Sequence, residues 1–236
     1  MIILTHGWTG SSVFSALIGK AGYWMGDNTH KKPDYDTHEN KELIDLNKRL
    51  MNELKYTGDH EHEFDTETIE GLAQRAHDID LTPYQDFVDK CQENSPWIWK
   101  DPRLTWTIRI WATLLKFDEI AFVILTRDEE QAWISSNLRR HIQSRNFTKR
   151  YNLGITLSLK KFLSEQNCAY VEYKFEDLLL TPEKTVEELN EFLNISLTMD
   201  DVKSVYKYPL YKKSRSWKDK LKATAIYLKN YNERYH

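Results

Sequence analysis

Four short apolar segments recur along the chain, and each is followed by polar residues and then by a stretch with helical spacing. Segments of this length, rich in β-branched or aromatic residues, are typical of buried strands. They are Ile2–Leu4, Trp97–Trp99, Ile120–Leu125 and Cys168–Phe175. Strands that alternate with helices predict an α/β fold of three layers, a central parallel sheet flanked by helices.

Between these segments, apolar residues recur at three- and four-residue steps, as on one face of a helix. Leu43, Leu46 and Leu50, for example, share a face of the helix predicted from Asn40 to Lys55. The other predicted helices are Ser12–Gly22, Asp65–Ala76, Thr82–Glu93, a helix that starts at Pro102, Arg127–Arg140, Leu153–Gln166 and Thr181–Leu193.

Three segments lack a clear period. Tyr23–Glu39 contains turn-forming residues and is predicted to be irregular, either a substrate loop or a solvated one. Tyr56–Glu63 contains the run His60-Glu-His-Glu63, which we interpret as a solvated surface loop, with metal binding a remote alternative. The tail from Lys203 onward is basic and aromatic. It is predicted either to close over a ligand or to form an exposed amphipathic helix.

The chain has 236 residues, of which 40% are hydrophobic and 13% aromatic, so we expect one packed domain over 1–236. A formal net charge of -3 argues against nucleic acid as a partner, so any anion site must be a local cluster. Cys91 and Cys168 are too few for a disulfide framework or a zinc site. With no apolar run of about 18 residues and no signal-peptide pattern, a cytoplasmic protein without a membrane span is expected.

The first twelve residues combine a strand, a turn with Gly7 and Gly10, and a helix start with Ser11 and Ser12. Backbone N–H groups and the positive end of the dipole collect at a helix N-terminus, which favours phosphate or sulfate there. An ordinary turn in which a serine caps the helix is equally compatible with these residues alone.

Two further predicted strands end in cationic groups, and the carboxyl ends of parallel strands share one edge of a sheet, where ligands bind. The groups are Lys100-Asp-Pro-Arg103 and Arg127-Asp128, and a fourth strand is followed by Glu176-Asp177. A Walker-type kinase would need Gly-Lys-Ser or Gly-Lys-Thr after the turn, and the chain contains neither.

The ordered set of motifs resembles the sulfotransferases that use 3′-phosphoadenosine-5′-phosphosulfate (PAPS), across most of residues 1–195. A loop that holds the phosphosulfate, an Arg with a Ser eight residues later, and a Lys-Asp-Pro segment between them occur in that family in this order. The matching segments are Trp8-Thr-Gly-Ser-Ser12, Arg127 with Ser135, Lys100-Asp-Pro-Arg103, Thr37-His-Glu-Asn40 with Leu46-Asn47, Lys174-Phe-Glu-Asp-Leu-Leu, Thr181-Pro-Glu and Glu191-Phe-Leu-Asn194.

The resemblance implies a sulfotransferase fold with a P-loop-like turn, and PAPS as co-substrate without a metal. It implies donor-binding roles for Trp8, Thr9, Gly10, Ser11, Ser12, Arg127, Ser135 and Arg215. It also implies that Lys100 stabilises charge on the transferring group. We predict Glu39 as the base that accepts the acceptor's proton, with His38 and His6 as alternatives. An acid that only stabilises a helix N-terminus is the other explanation of Glu39. His38 and Arg103 are predicted to bind the acceptor, and the alternative for Arg103 is an ion pair with Asp101.

The chain departs from the family pattern at Trp8, where the loop normally carries Arg or Lys. An uncharged indole cannot neutralise the sulfuryl group. Two other functions therefore stay open, a family member that binds nucleotide or glycan without catalysis and, less favoured, a kinase-like enzyme. The expected acceptor is a carbohydrate or another small hydroxyl compound, and the sequence does not specify an oligomeric state.

Overall fold

The computed structural model describes residues 1–233; residues 234–236, part of the predicted domain and of its basic tail, lie outside the described part. The strands are β1 (Ile2–Thr5), β2 (Thr29–Lys32), β3 (Tyr35–Asn40), β4 (Trp99–Lys100), β5 (Phe122–Thr126) and β6 (Tyr170–Lys174). The helices are α1 (Ser11–Lys20), α2 (Lys41–Glu53), α3 (Thr66–Gln74), α4 (Thr82–Glu93), α5 (Leu104–Trp111), α6 (Glu129–Leu138), α7 (Arg145–Glu165), α8 (Phe175–Leu180), α9 (Pro182–Leu193), α10 (Met199–Val205) and α11 (Trp217–Lys229).

The four predicted strands form one parallel sheet in the order β4-β1-β5-β6, which confirms the predicted fold class. The chain leaves β1 for β4 on one side and then crosses to β5 on the other side. Ligands bind in the crevice that such a reversal opens at the carboxyl ends of the strands. The end of β1 is therefore the expected centre of a site.

The sheet has helices on both faces because alternate side chains of a strand point to opposite sides. Ile2 and Leu4 of β1 pack in a cluster with residues of α2, α3, α4, α5 and α7. Ile3, between them, packs in a second cluster with residues of α1, α8, α9 and α10. Both clusters exclude water, so β1 is buried on both faces.

The segment Tyr23–Glu39, predicted to be irregular, contains the antiparallel hairpin of β2 and β3. Lys32 pairs with Tyr35, so that only Pro33 and Asp34 form the turn. Neither strand alternates apolar with polar residues, which is why the periodicity did not reveal them. The prediction was wrong here, and the hairpin carries the predicted site residues His38 and Glu39.

Several helix boundaries also differ from the predicted ones. Pro102 lies in the turn before α5, which ends at Trp111 and so does not reach Leu114. Helix α7 begins at Arg145, eight residues before the predicted start, because the Ser144 hydroxyl caps it by accepting the Phe147 N–H at 3.0 Å. The short helices α8 and α10 were not predicted.

The predicted tail from Lys203 onward contains helix α11. Helix α11 packs against α6, where Ala223 meets Trp133 and Ile134. This is the amphipathic helix that was one of the two predictions for the tail. No helix within residues 1–233 is long and apolar enough to cross a membrane.

A buried polar network joins α2 to the end of β4. The Asn47 amide donates to the Asp101 carboxylate at 2.9 Å, and its oxygen accepts hydrogen bonds from Thr107 and from the Trp111 indole, both at 2.8 Å. Asn47 and Asp101 are fully buried. Since unpaired buried polar groups are costly, this network fixes α2 and α5 relative to the Lys100-Asp-Pro segment.

Replacing Asn47 by Ala removes these three bonds and leaves the Trp111 indole N–H without its acceptor. We expect the free energy of unfolding to fall by about 3 kcal/mol. For a chain of this size, that loss lowers the Tm by roughly 6–12 °C. Thermal and urea denaturation measure both quantities. The control is Asn52→Ala, at an exposed position of the same helix, for which we expect a change within about 0.5 kcal/mol. Equal stabilities of the two variants would contradict the role of Asn47.

Candidate active site

A cavity of about 1270 Å³ opens at the carboxyl ends of β1, β4 and β5. Typical pockets for one small ligand measure about 300–1,000 Å³, so this cavity has room for two ligands side by side. The hairpin, the β1–α1 loop, α6 and the segment 205–215 contribute to its walls. Of the thirteen predicted site residues, all except His6 line it.

The β1–α1 loop forms one wall of the cavity with Trp8, Thr9, Gly10, Ser11 and Ser12. Gly10 has a left-handed backbone with φ of 73°, and a Cβ at this position would overlap the Phe175 ring. Glycine is thus required for two separate reasons. No side chain caps the N-terminus of α1. The serine-capped turn, the alternative explanation of this segment, is therefore not what forms.

Arg127 is the buried cation at the end of β5. Its guanidinium donates to the Trp8 carbonyl at 2.7 Å and to the Ser135 hydroxyl at 3.3 Å. Glu176 lies 3.3 Å from Arg127 Nε and balances the charge. Burial lowers the pKa of Arg127 from its ordinary value, and the Glu176 carboxylate opposes this shift.

Arg215 approaches the same serine from the C-terminal part of the chain. Its guanidinium donates to the Ser135 hydroxyl at 3.4 Å, while its backbone N–H donates to the Gln131 side chain at 2.9 Å. Arg215 Nε is buried and has no hydrogen-bond partner in the described part of the chain. An unpaired N–H beside a second guanidinium is what a phosphate or sulfate would satisfy.

Lys100 and Glu39 form an ion pair within the cavity wall, with Nζ and Oε1 2.5 Å apart. The side chains are 1% and 12% exposed. The backbone of Lys100 pairs in register with Ile3, two residues before the end of β1. The Lys100 side chain therefore begins inside the sheet and not at the carboxyl end of β1. The Glu39 carboxylate comes from the hairpin, so this buried pair joins the hairpin to the sheet.

His38 and Arg103, which adjoin the members of this pair in the sequence or follow them closely, also line the cavity. His38 has a left-handed backbone with φ of 53°, and its N–H donates to the Asp36 carboxylate at 2.7 Å. Burial lowers the pKa of His38 from its ordinary 6.5, and the Lys100 charge adds to that shift against the opposing effect of Asp36. Arg103 donates to Asp101 at 2.9 Å, while its buried Nε has no partner within residues 1–233.

His6 does not reach the cavity. It is 3% exposed, and its Nδ1 donates to the Gly7 carbonyl at 2.8 Å. Burial lowers its pKa to about 4, so the imidazole is neutral near pH 7. The structure thus places His6 behind the loop, where it supports the turn.

The lining residues outside the predicted site include Lys32 and Tyr35 of the hairpin and Arg139 at the end of α6. All three lie against Trp8 or against one another. The Arg139 Cζ is 5.0 Å from the centroid of the Trp8 ring, and Lys32 Nζ is 5.9 Å from it. The only signal in the sequence is the Pro33-Asp34 turn, which marks a hairpin but not what it faces.

The His60-Glu-His-Glu63 segment, interpreted as a solvated loop, is exposed at Glu61 and Glu63 but half-buried at its two histidines. His60 and Glu61 line the cavity, and the His60 ring packs edge-on against Trp106. Burial lowers the pKa of His60, and the nearby Arg103 charge acts in the same direction. Within residues 1–233, no three His, Cys, Asp or Glu side chains are arranged to hold a metal ion. That the reaction needs no metal stays a prediction.

The charge of the cavity differs from that of the chain. Eight lysines and arginines line it against four aspartates and glutamates, although the whole chain carries a formal net charge of -3. The cationic residues are Lys32, Lys48, Lys100, Arg103, Arg127, Arg139, Lys207 and Arg215. A local excess of positive charge favours anions electrostatically, and anion binding at the polar strand ends stays a prediction.

No protein-family model matches the chain, and no curated protein matches its sequence. Solved structures are similar in fold. The sulfotransferase domain from the curacin biosynthetic pathway matches with a TM-score of 0.53 and 16% identity, over 90% of this chain and 80% of that domain. The sulfotransferase domain from the Synechococcus PCC 7002 olefin synthase matches with a TM-score of 0.53 and 17% identity, over 91% of this chain and 79% of that domain. The chain therefore has the fold of these sulfotransferase domains.

Proposed function

We propose that this protein is a sulfotransferase that moves a sulfuryl group from PAPS to the hydroxyl of a carbohydrate or another small molecule. One observation carries the proposal. An uncapped helix start, a buried lysine–glutamate pair and two guanidinium groups on one serine all face a single cavity. Two phosphates and a sulfuryl group need cationic or N–H donors at separate points, and these elements supply them.

The donor would lie between the loop and α6. Loop N–H groups from Thr9 to Ser12 hold its 5′-phosphate, as helix N-termini hold anions. Arg127, Ser135 and Arg215 hold its 3′-phosphate, which satisfies the unpaired Arg215 Nε. The residues present thus fit the nucleotide that the sequence motifs imply.

The reaction is an in-line displacement at sulfur. The acceptor oxygen forms a bond to sulfur while the bond from sulfur to the 5′-phosphate oxygen breaks, and the electron pair leaves on that phosphate. Glu39 accepts the proton of the acceptor hydroxyl. Lys100, which holds Glu39 before substrates bind, stabilises the negative charge of the leaving oxygen.

Trp8 favours a second function, binding without transfer, because an indole replaces the loop cation. In that case the nucleotide binds and no sulfuryl group moves. Lys100 supports the catalytic alternative, since a buried cation is already in place beside a carboxylate. A kinase-like enzyme would bind ATP instead, and no Gly-Lys-Ser or Gly-Lys-Thr supports it.

The first prediction from the proposed function concerns binding of the donor's 3′-phosphate. Replacing Arg215 by Gln should weaken binding of adenosine 3′,5′-bisphosphate about 10- to 100-fold, because a hydrogen bond to a charged group contributes about 1.5–3 kcal/mol. Binding of adenosine 5′-monophosphate, which lacks that phosphate, should not change. Isothermal titration calorimetry measures both.

The control for this variant is Lys213→Gln. Lys213 lies two residues away and pairs with Asp128 at 3.4 Å outside the cavity, so both nucleotides should bind as before. Equal losses for the two nucleotides in Arg215→Gln would show that Arg215 does not contact the 3′-phosphate. If ATP stabilises the protein in thermal unfolding and the bisphosphate does not, the kinase-like alternative replaces the proposal.

The second prediction concerns the ion pair. Lys100→Gln and Glu39→Gln should each lower kcat by about 10²–10³, since each removes a group that acts on charge developing in the transition state. The double variant should lose little more, because residues that act as a unit are not additive. Transfer of labelled sulfate from PAPS to pooled hydroxyl acceptors measures kcat.

Titration with adenosine 3′,5′-bisphosphate is the control for these variants, and its Kd should stay within threefold. Full activity of Lys100→Gln with unchanged nucleotide binding would refute the catalytic role of the pair. A wild-type protein that binds the bisphosphate and transfers no sulfate to any acceptor would establish the binding function instead.

The third prediction separates the two candidate bases by pH. Above its lowered pKa, His38 is neutral, and it gains a proton as the pH falls. If Glu39 is the base, the acid limb of the kcat profile keeps its midpoint in His38→Gln, while the acceptor KM rises. Disappearance of that limb in His38→Gln would assign the base to His38. Rates measured from pH 4.5 to 8 decide between them.

A further inference from the structure

Two cations and two aromatic rings meet at the cavity wall formed by the hairpin, the β1–α1 loop and the end of α6. Lys32 Nζ lies 5.9 Å from the ring centroids of both Trp8 and Tyr35. The Arg139 Cζ lies 5.0 Å from the Trp8 centroid and 5.8 Å from the Tyr35 centroid. Arg139 also donates to the Tyr35 hydroxyl at 3.3 Å. We call these four residues the Trp8–Tyr35 cluster.

The cluster holds two positive charges without a carboxylate. In the described part of the chain, neither Lys32 nor Arg139 has an Asp or Glu oxygen within 4.0 Å, whereas Lys100, Arg103 and Arg127 each have one. Cation–π contacts hold the two side chains near each other, although like charges repel. An anion between them would remove that repulsion.

The PAPS phosphates are already accounted for by other residues. Under the proposed function, the loop N–H groups hold the 5′-phosphate and the Arg127–Ser135–Arg215 group holds the 3′-phosphate. Lys32 and Tyr35 belong instead to the hairpin that carries His38 and Glu39. The hairpin thus carries both the proposed base and two members of the cluster, so an acceptor that lies along the hairpin can contact both.

We propose that the acceptor carries a negative charge of its own, a carboxylate, sulfate or phosphate, which Lys32 and Arg139 bind. The rings of Trp8 and Tyr35 pack against its apolar face and hold the two cations in place. This inference rests on the proposed function and specifies its acceptor. It also gives Trp8 a role, since its aromatic ring makes cation–π contacts with Lys32 of the hairpin and with Arg139 at the end of α6.

The test compares sugars that differ in the group at C6 and therefore in charge. Glucuronate, glucose 6-phosphate, glucose 6-sulfate and glucose are titrated by calorimetry into protein saturated with adenosine 3′,5′-bisphosphate. At least one charged sugar should bind tenfold or more tightly than glucose. In the double variant Lys32→Gln/Arg139→Gln, that preference should fall to less than threefold, and the Kd of the bisphosphate should stay within twofold.

The matched control is Lys31→Gln/Arg140→Gln. These residues are the sequence neighbours of the two cations, they are exposed and outside the cavity lining, and their replacement changes the net charge equally. The control should keep the full preference for the charged sugar. An equal loss in both double variants would show that net charge, and not the cluster, attracts the anion, and would refute the proposal.

Two other results would also overturn it: equal binding of glucose and all three charged sugars, or a tenfold loss of bisphosphate affinity in Lys32→Gln/Arg139→Gln. A loss of bisphosphate affinity would show that Lys32 and Arg139 bind the donor. The sugars are titrated without the bisphosphate as well. A protein that binds charged sugars through the cluster but does not bind the bisphosphate would refute the proposed function and leave an anionic-sugar site.

Discussion

The site depends on the buried guanidinium of Arg127, which bonds four separate segments. It donates to the Trp8 carbonyl in the β1–α1 loop, to Ser135 on α6 and to Ser214 in the C-terminal segment, and Glu176 of α8 supplies the opposite charge. A buried charge is tolerated only when it is paired and its donors are satisfied. Each of these segments is therefore held at the place where it satisfies Arg127.

The same bonds explain the unusual backbone of the loop. Trp8 has a left-handed φ of 68°, which costs a non-glycine residue on the order of 1 kcal/mol or more. This conformation lets the Trp8 carbonyl meet Arg127 while its ring lies near Lys32 and Arg139. The loop thus joins the donor side of the cavity to the acceptor side of the proposed site.

Much of the site could be predicted because parallel strands end at one edge of their sheet. Lys100 ends a strand and Arg127 follows one, so their location at the same edge of the sheet follows from the strand assignments and the parallel order. His6 was misplaced although it also follows a strand. Its Nδ1 donates to the Gly7 carbonyl, and the ring therefore does not face the cavity. The hydrophobic pattern of the sequence does not predict such a local hydrogen bond.

The rest of the site could not be predicted because it depends on how non-periodic segments approach one another. The hairpin has polar residues on both faces, so the pattern of buried positions gives neither its register nor its neighbours. Arg139 lies just after the last turn of α6, where a solvated arginine is the common expectation. The His60 segment was assigned to solvent for the same reason, yet its contact with Trp106 brings it into the wall.

The geometry around Trp8 explains how an indole fits into the wall of a cationic cavity. Lys32 and Arg139 approach the Trp8 ring from two other segments, so positive charge lies beside the loop although the loop itself carries no cation. Under the proposed function, the sulfuryl group then depends on Lys100, whose buried position strengthens its field. A cation in the loop would repel Lys32 and Arg139, and an indole attracts them. Under the proposed function, the charge beside Trp8 therefore belongs to the acceptor side of the cavity, while the loop N–H groups, Arg127 and Arg215 hold the donor.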